Sequence, residues 1–463
     1  MVNVVAMLSH PEELLPLVRM YSAAKSAAKL PQEPGLAFCY GLLNDVSRSF
    51  AIVIQQLPNP LRDAVCVFYL VLRGLDTVED DMALSDDIKL PMLHAFHEKI
   101  YERNFHMECG YKHYKRLMKQ FGTVVDVFLS LDEGFQKVIA DITKRMGDGM
   151  AEFITKDVVT VDEYERYCHY VAGLVGIGLS QLFASSGLES PKFALKETLS
   201  NQMGLFLQKT NIIRDYLEDI VEEPAPRMFW PKQIWGQYGD KLADFKEAGN
   251  RKAAVQCLNH MIVDALQHLP ACVQYMEGLQ HSEVFRFCAI PQIMAIGTLG
   301  LCYNNGRVFT GVVKMRRGLV SRVFDSCSDM GDLFQWFLYF LTMLSAKVAH
   351  EVDEADPTLD EARRLIASHT DSCSKALAKW KKAHPPSGAA QLAALIRDIL
   401  LLLMSAVYFY FVFNLGGPAG TPAALQWVPE LLAWHGEQLV HAHRVFSVLL
   451  LLFTFNTAVL SQR

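Results

Sequence analysis

The sequence predicts an all-α protein with one large domain and an apolar C-terminal tail, and three observations carry that prediction. From about residue 35 to about residue 370, apolar residues recur at helical spacing in runs of roughly 15 to 25, with no series of short alternating segments of the kind that builds a sheet. Pro58, Pro60, Pro191, Pro224, Pro226, Pro231 and Pro270 fall between these runs, so they punctuate helices instead of interrupting them. After residue 375 the composition shifts to lysines, a proline pair and then long apolar stretches.

Taken in order, the opening MVNVVAMLSHPEELL lacks the basic segment and sustained apolar stretch of a secretory signal or an N-terminal anchor. Pro58 and Pro60 precede a long helical stretch that ends in DTVEDD. The segment Tyr164 to Tyr170 carries three tyrosines on successive turns and leads into GLVGIGLSQLF, where Gly173, Gly176 and Gly178 are expected to permit close helix packing. Pro191 separates this from MGLFLQKTNIIRDYLEDI, which Pro224, Pro226 and Pro231 follow, and Pro270 divides two later runs. Pro291 is the exception: it lies inside RFCAIPQIMAIGTL and should kink that helix.

Lys375, Lys379, Lys381 and Lys382 lead into HPPSGAA, which reads as a linker. Beyond it, Ile399–Leu415 (17 residues) and Val445–Leu460 (16 residues) are apolar on all sides. Both are a little short of the roughly 20 residues that span a bilayer comfortably. Two buried core helices are one reading; a C-terminal membrane anchor, as one span or a hairpin, is the expectation adopted. The domain expectation is therefore 1–375 for the helical catalytic part, 376–398 for the linker and 399–463 for the membrane tail.

Composition narrows the function classes. With 463 residues and a hydrophobic fraction of 51%, the chain can build an extensive core. A balance of 44 basic against 50 acidic residues offers no polycationic footprint for nucleic acid. The ten cysteines are scattered without a CxxC pair, as expected of reduced core residues in a domain facing the cytosol. Neither GxGxxG nor GxxxxGK[ST] occurs, so a standard nucleotide loop is not expected.

Two acidic clusters sit in otherwise apolar helical runs. In the first, Asp76, Glu79 and Asp80 fall at i, i+3 and i+4 and share one helix face, with Arg73 and Tyr69 on the turns before. The second, Asp215, Glu218 and Asp219, repeats that spacing, with Asn211 and Gln208 before it. One such run alone usually marks a solvated helix face. Two in matching context need a different explanation, because charge on a buried face is costly unless it is paired or binds a metal. Mg²⁺ fits: it takes oxygen ligands, tolerates an incomplete carboxylate set and shares substrate phosphates. Two such helices facing one cavity could hold several ions around a diphosphate and neutralise it as it leaves.

Other candidates surround these clusters. Arg48, Arg73 and Arg214 carry guanidinium forks suited to phosphate oxygens, although any one arginine alone reads as a salt-bridge partner. Tyr167 could move a proton near an anion, or simply donate a hydrogen bond in the core. His169 reads as a satisfied core histidine. Phe287 is either core or a π face for a carbocation.

The runs VSRSFAIVIQQL, FYLVLRGLDTVEDDM, YCHYVAGLVGIGLSQLF, QKTNIIRDYLEDI, RMFWPKQIW and FCAIPQIMAIGTL followed by CYNN resemble the squalene synthase family of the plant and green-algal type, from about residue 35 to 330. The resemblance implies an isoprenoid synthase helical fold with one central cavity. It implies Mg²⁺ at Asp76, Glu79, Asp80, Asp215 and Asp219, with Glu218 beside them in the second cluster. Arg48, Arg73 and Arg214 match basic positions near the diphosphate or the phosphates of NADPH. Gln208 and Asn211 match polar positions of the second stripe, Tyr69 and Tyr167 match tyrosines of diphosphate departure and proton transfer, and Phe287 matches an aromatic of the second half-reaction. The run Lys314, Arg316, Arg317 matches the NADPH segment, with arginine at 317 where the family usually has lysine; the charge is kept.

The implied activity joins two farnesyl diphosphates to presqualene diphosphate and reduces that to squalene with NADPH. The enzyme would be monomeric, held by its tail on the endoplasmic reticulum membrane with the catalytic part in the cytosol. A relative that stops at presqualene diphosphate or makes another C30 hydrocarbon, a phytoene synthase, and a non-enzymatic helical membrane scaffold remain as alternatives.

Overall fold

The computed structural model describes residues 10–27, 31–47, 49–221 and 227–385, and every regular element among them is helical. The chain divides into two units, Arg19–Ser374 and a smaller one made of the residues up to Val18 with those from Lys375 onward. The larger unit holds the site. The helices that build it are numbered here in chain order, beginning with α1, Leu61–Asp80.

Helix α1 starts directly after Pro60, where the fixed φ of proline suits a helix entry. Beyond its first turn the only residues not buried are Tyr69, Arg73, Asp76, Glu79 and Asp80. That is the polar stripe read from the sequence, so α1 is wrapped by protein everywhere except along this face. Around it lie α2 (Asp86–Lys99) and α3 (Glu133–Ile154). Helix α4 (Val161–Cys168) begins with a capping box, in which the Thr160 hydroxyl accepts from the Glu163 N–H and the Glu163 carboxylate accepts from the Thr160 N–H.

A five-residue π-helical turn, His169–Gly173, then joins α4 to α5 (Leu174–Ser185). His169 Nδ1 lies 2.7 Å from Asn201 Oδ1, which agrees with a satisfied core histidine. The next long helix, α6 (Glu197–Arg214), packs against the π turn, α4 and α5, and also against α8 (Arg251–Leu266) and α9 (Ser282–Cys302). A short helix, α7 (Tyr216–Ile220), follows α6.

Glycines set the spacing between these helices. A Cβ on Gly176 would come within 2.3 Å of the Ser200 carbonyl oxygen, and one on Gly173 within 1.9 Å of Asn201 Oδ1. From the other side, a Cβ on Gly204 would lie 2.3 Å from the Ala172 carbonyl oxygen. The expected close packing is therefore backbone against backbone, between the π turn with α5 on one side and α6 on the other.

Helix α9 is continuous from Ser282 to Cys302 through Pro291, where proline leaves the Phe287 carbonyl without its intrahelical N–H partner. The expected start of the linker needs adjustment. After α10 (Arg317–Ser326) and α11 (Met330–His350), helix α12 runs Leu359–Ala383, so the first residues of the expected linker at 376 are helical. Alanines and lysines favour helix there, and the turn before Pro385 ends it. The apolar stretches at 399–415 and 445–460 lie outside the described residues. Two described helices, Val161–Ser185 and Ser282–Cys302, are long and apolar enough to cross a membrane, but both wall an internal cavity, which accounts for their apolarity.

Gly204→Ala should destabilise the protein by about 1–3 kcal/mol, because backbone atoms that cannot rotate away occupy the space its methyl needs. Gly41→Ala, on the helix Pro34–Ser47 with nothing within 4 Å of the added Cβ, should be neutral or stabilising. Urea midpoints compare the two, and equal midpoints would contradict the packing account.

Candidate functional site

Helices α1, α5, α6 and α9 supply most of the wall of one cavity of about 300 Å³. Helix α1 supplies Phe68, Tyr69, Leu72, Arg73 and Asp76, and α6 supplies Met203, Gly204, Leu207, Gln208 and Asn211. Each set recurs at i, i+3, i+4, so each is one helix face. In both helices the apolar members come first and the polar members last. The remaining wall is mostly apolar, with Val175 and Leu179 from α5 and Phe287 from α9, and also holds Gln292 of α9. The cavity therefore has an oily part and a polar part, and the polar part lies toward the C-terminal ends of two helices.

That placement governs the electrostatics. The C-terminal end of a helix carries a partial negative charge from its unpaired carbonyls, so cations are favoured there and carboxylates are not. Asp76, Glu79 and Asp80 crowd the last turn of α1, which has no basic residue. Asp215 caps the end of α6, and Asp219 lies one turn on in α7, its N–H donating to the Asp215 carbonyl at 3.0 Å. The second cluster thus straddles a helix break, with the spacing of one turn preserved across it. Burial pushes the Asp76 carboxyl up to about 6, with Arg73 opposing the rise and Asp80 adding to it. The Glu79 carboxyl is pushed well above the usual carboxylate range, by burial first and then by Asp80 beside it.

Cations answer this charge at every point. Arg73 reaches Asp76 at 3.3 Å and faces the Tyr69 ring, its guanidinium carbon 5.7 Å from the ring centroid. Arg214 grips Asp215 through two hydrogen bonds, Nε to Oδ1 at 2.7 Å and Nη2 to Oδ2. Lys89, buried on α2, donates from Nζ to the Glu79 carbonyl at 2.9 Å and so caps α1.

Arg227 is the residue that sequence reasoning missed. Its guanidinium donates to Glu79 at 3.0 Å and to Asp80, while its backbone N–H donates to the Asp219 carbonyl at 2.9 Å. One residue thus touches both acidic clusters. Its guanidinium also lies 4.8 Å from the centroid of the Phe229 ring, which stacks on Tyr167 at 4.7 Å. The segment is anchored by Trp230, whose indole N–H donates to the Ile212 carbonyl of α6 at 3.1 Å. The only sequence signal was a lone arginine ahead of FWP, after the proline cluster.

The structure brings Tyr69, Arg73, Asp76, Gln208, Asn211 and Phe287 together on the cavity wall. Glu79, Asp80, Asp215, Glu218, Asp219 and Tyr167 are not among the residues lining it; nor are Arg214 and Arg227, which pair with Asp215 and with Glu79 and Asp80 behind the wall. Glu218 is exposed. Tyr167 is buried, and burial together with the nearby Glu79 pushes its hydroxyl well above the usual range, so it is held protonated. Lys314, Arg316 and Arg317 are exposed on the segment leading into α10, and Met315 between them packs on Gly297 of α9, where a Cβ would come within 2.8 Å of its methyl. Arg48 lies outside the described residues.

The donor set is all oxygen, the carboxylates of the first cluster crowd one another at a negative helix end, and two of them hold protons more tightly than usual. Such residues could hold a hard divalent cation, and their chemistry fits Mg²⁺.

Comparison with known proteins places this arrangement. A family model described as squalene/phytoene synthase matches residues 43–318. The chain is 53% identical over 408 residues to squalene synthase LSS of Botryococcus braunii, covering 88% of each protein. It is 52% identical over 413 residues to squalene synthase 10 of Panax ginseng, covering 89% of this chain and 98% of that one. Among solved structures, the complex of TcSQS with the ligand BPH1237 superposes with a TM-score of 0.72 at 44% identity, covering 74% of this chain and 99% of the other.

Arg227→Met should lower the melting temperature in divalent-free buffer, since removing one partner of a part-buried ion pair leaves carboxylates uncompensated. Added Mg²⁺ should then raise the melting temperature of the variant more than that of the parent. Equal Mg²⁺ shifts would mean that arginine and ion do not share these carboxylates.

Proposed function

The chain belongs to the squalene/phytoene synthase family, and from that premise we propose that it is a squalene synthase, a farnesyl-diphosphate farnesyltransferase. The observation that carries the proposal is a cavity with an apolar part suited to isoprenoid chains and a polar part formed by Arg73 and Asp76 of the first cluster's helix and by Gln208 and Asn211 on the turns before Asp215.

In this reading one farnesyl diphosphate loses its diphosphate to leave an allylic cation, and the double bond of the second attacks it. Loss of a proton closes a cyclopropane, giving presqualene diphosphate. Loss of the second diphosphate starts a cation rearrangement that a hydride ends as squalene. Mg²⁺ held by Asp76, Glu79 and Asp80 on one side and by Asp215 and Asp219 on the other, with Glu218 at the periphery, would neutralise charge on the leaving diphosphate. NADPH supplies the hydride.

The chain's own groups have defined tasks. Arg73 and Arg214 bind diphosphate oxygens, and the family resemblance assigns Arg48 the same task. Gln208 and Asn211 orient the diphosphate from α6. Tyr69 lies against Arg73 and donates its hydroxyl proton toward the leaving group. Tyr167, kept protonated by burial, is a donor to a departing oxygen before it is an acceptor from carbon. The wall from Val175 to Phe287 excludes water that would trap the cations, and Phe287, set edge-on to Phe183 with centroids 6.0 Å apart, turns a π face to them.

Lys314, Arg316 and Arg317 bind the phosphates of NADPH. Arg316 caps α10 and Arg317 opens it, so two cations stand at a helix end that already favours anions. The apolar stretches after residue 398 hold the enzyme on the endoplasmic reticulum membrane, with the catalytic part on the cytosolic side, and the enzyme acts as a monomer.

Full-length protein and a version ending at Pro385 should both convert farnesyl diphosphate to squalene with Mg²⁺ and NADPH, read by gas chromatography. Withholding NADPH should let presqualene diphosphate accumulate, and Lys314→Ala with Arg316→Ala should mimic this by raising the NADPH concentration required. Asp76→Asn should lower turnover by at least about a hundredfold while the protein stays folded. A C40 product from C20 diphosphate, or equal loss of both half-reactions in the basic-run variant, would contradict these assignments.

A further inference from the structure

One aromatic side chain outside the cavity wall touches an arginine that lines it. The helix Lys112–Lys119 packs against α1, and Tyr114, Leu117 and Met118 fall at i, i+3 and i+4 on its inner face. Leu117 and Met118 are buried and Tyr114 is half-buried, while Lys115, Arg116 and Lys119 are exposed and pair with Glu108 and Asp45. The Tyr114 ring lies against Arg73 of α1, its centroid 5.7 Å from the guanidinium carbon, the same distance at which Arg73 meets the Tyr69 ring. Both rings are within reach of a cation–π contact.

The residues just before this helix pin it to the end of α1. Gly110 has a φ of +76°, its N–H donates to Asp81 Oδ2 at 2.6 Å, and a Cβ there would come within 2.5 Å of Thr77 Cγ2. The position needs glycine twice over, for its left-handed backbone and for its close approach to α1. Lys112 also lies at positive φ, 48°, although it carries a side chain. Such a backbone persists only where the surrounding contacts over-determine it. Thr77 stands one turn after Arg73, its hydroxyl donating to the Arg73 carbonyl at 2.7 Å, so this docking sets Tyr114 on the face of α1 that carries Arg73.

The hydrogen bonds of Arg73 are few. Its Nη1 lies 3.3 Å from Asp76, its Nη2 lies 3.5 Å from the Tyr69 hydroxyl, and its Nε is buried without an acceptor among the described residues. Asp76 and Tyr69 belong to α1 itself, whereas Tyr114 touches the guanidinium from another element. We propose that Tyr114 is a positioning residue that holds Arg73 in place to receive a diphosphate. The inference rests on the diphosphate-binding role given to Arg73 above. A carboxylate in place of the ring would grip Arg73 more strongly, but it would occupy N–H groups and cancel the charge that attracts a phosphate. The ring is neutral and leaves those donors to the ligand. Asp76 is also a proposed metal ligand, so its hold on Arg73 weakens when a cation shares the carboxylate. The hold of Tyr114 does not.

The test measures binding of inorganic diphosphate to the full-length protein in detergent with saturating Mg²⁺, by isothermal titration calorimetry. Tyr114→Leu should weaken binding about fivefold, the size of one cation–π contact, and Tyr114→Phe should stay within about twofold of the parent because the ring is kept. In an Arg73→Met background Tyr114→Leu should cost less than about twofold, since its effect runs through Arg73. Fluorinated phenylalanines at position 114 keep the ring's shape and withdraw its π density, so affinity should fall stepwise with each fluorine; this series decides if Tyr114→Leu does not fold. An unchanged affinity in Tyr114→Leu, an equal loss with and without Arg73, or a flat fluorine series would overturn the proposal. If Arg73→Met binds diphosphate as well as the parent, the role assigned to Arg73 falls and this inference with it. Weak binding by Arg73→Met beside an unchanged Tyr114→Leu would strike the inference alone.

Discussion

Negative charge placed at the wrong ends of two helices is the constraint on which the site depends. Asp76, Glu79 and Asp80 occupy the last turn of α1, and Asp215 and Asp219 follow the end of α6. Asp76, Glu79, Asp80 and Asp215 add to the partial charge of unpaired carbonyls instead of offsetting it, while Asp219 lies in the first turn of the short helix α7. The protein answers with Lys89 on a carbonyl and with Arg73, Arg214 and Arg227 on carboxylates, yet Asp76 and Glu79 still hold their protons more tightly than usual. A site left in this condition favours added positive charge.

The same two helices carry the separation of roles. Because α1 and α6 each run from apolar to polar along one face, an apolar part and a polar part belong to one cavity. Close packing makes this possible. Gly173, Gly176 and Gly204 bring the π turn and α5 against α6 at backbone distance, so α6 can turn its remaining face to the cavity. Lys209, buried on α6 and bonded to Glu165 of α4 at 2.8 Å and Asp264 of α8 at 2.7 Å, ties that helix to its neighbours beneath the site.

Much of this was legible in the sequence, and the reason is local. The stripe Tyr69, Arg73, Asp76, Glu79, Asp80 is a property of one helix, so the 3.6-residue period was enough to put those residues on one face. Gly173 and Gly176 announced close packing for the same reason. What escaped depended on tertiary contacts. Arg227 gains its role from meeting Glu79 and Asp80, which lie far away in the chain, and nothing in RMFWPKQIW marks it apart from other arginines. Tyr114 looked like one aromatic residue in a basic run until its ring was seen against Arg73 of α1. The helix break at Asp215 was hidden because the i, i+4 spacing survives it, and α12 overran the expected linker because lysine and alanine sustain a helix as far as the turn before Pro385.

The central claim is that the two acidic clusters form one cation site and not two adjacent ones. A double-mutant cycle on Mn²⁺ affinity tests it most directly, with Asp76→Asn, Asp219→Asn and the pair measured by electron paramagnetic resonance in the presence of inorganic diphosphate. A shared site predicts strong coupling, with the double variant losing far less affinity than the sum of the two single losses. Losses that simply add would show that the clusters bind independently and would contradict the account.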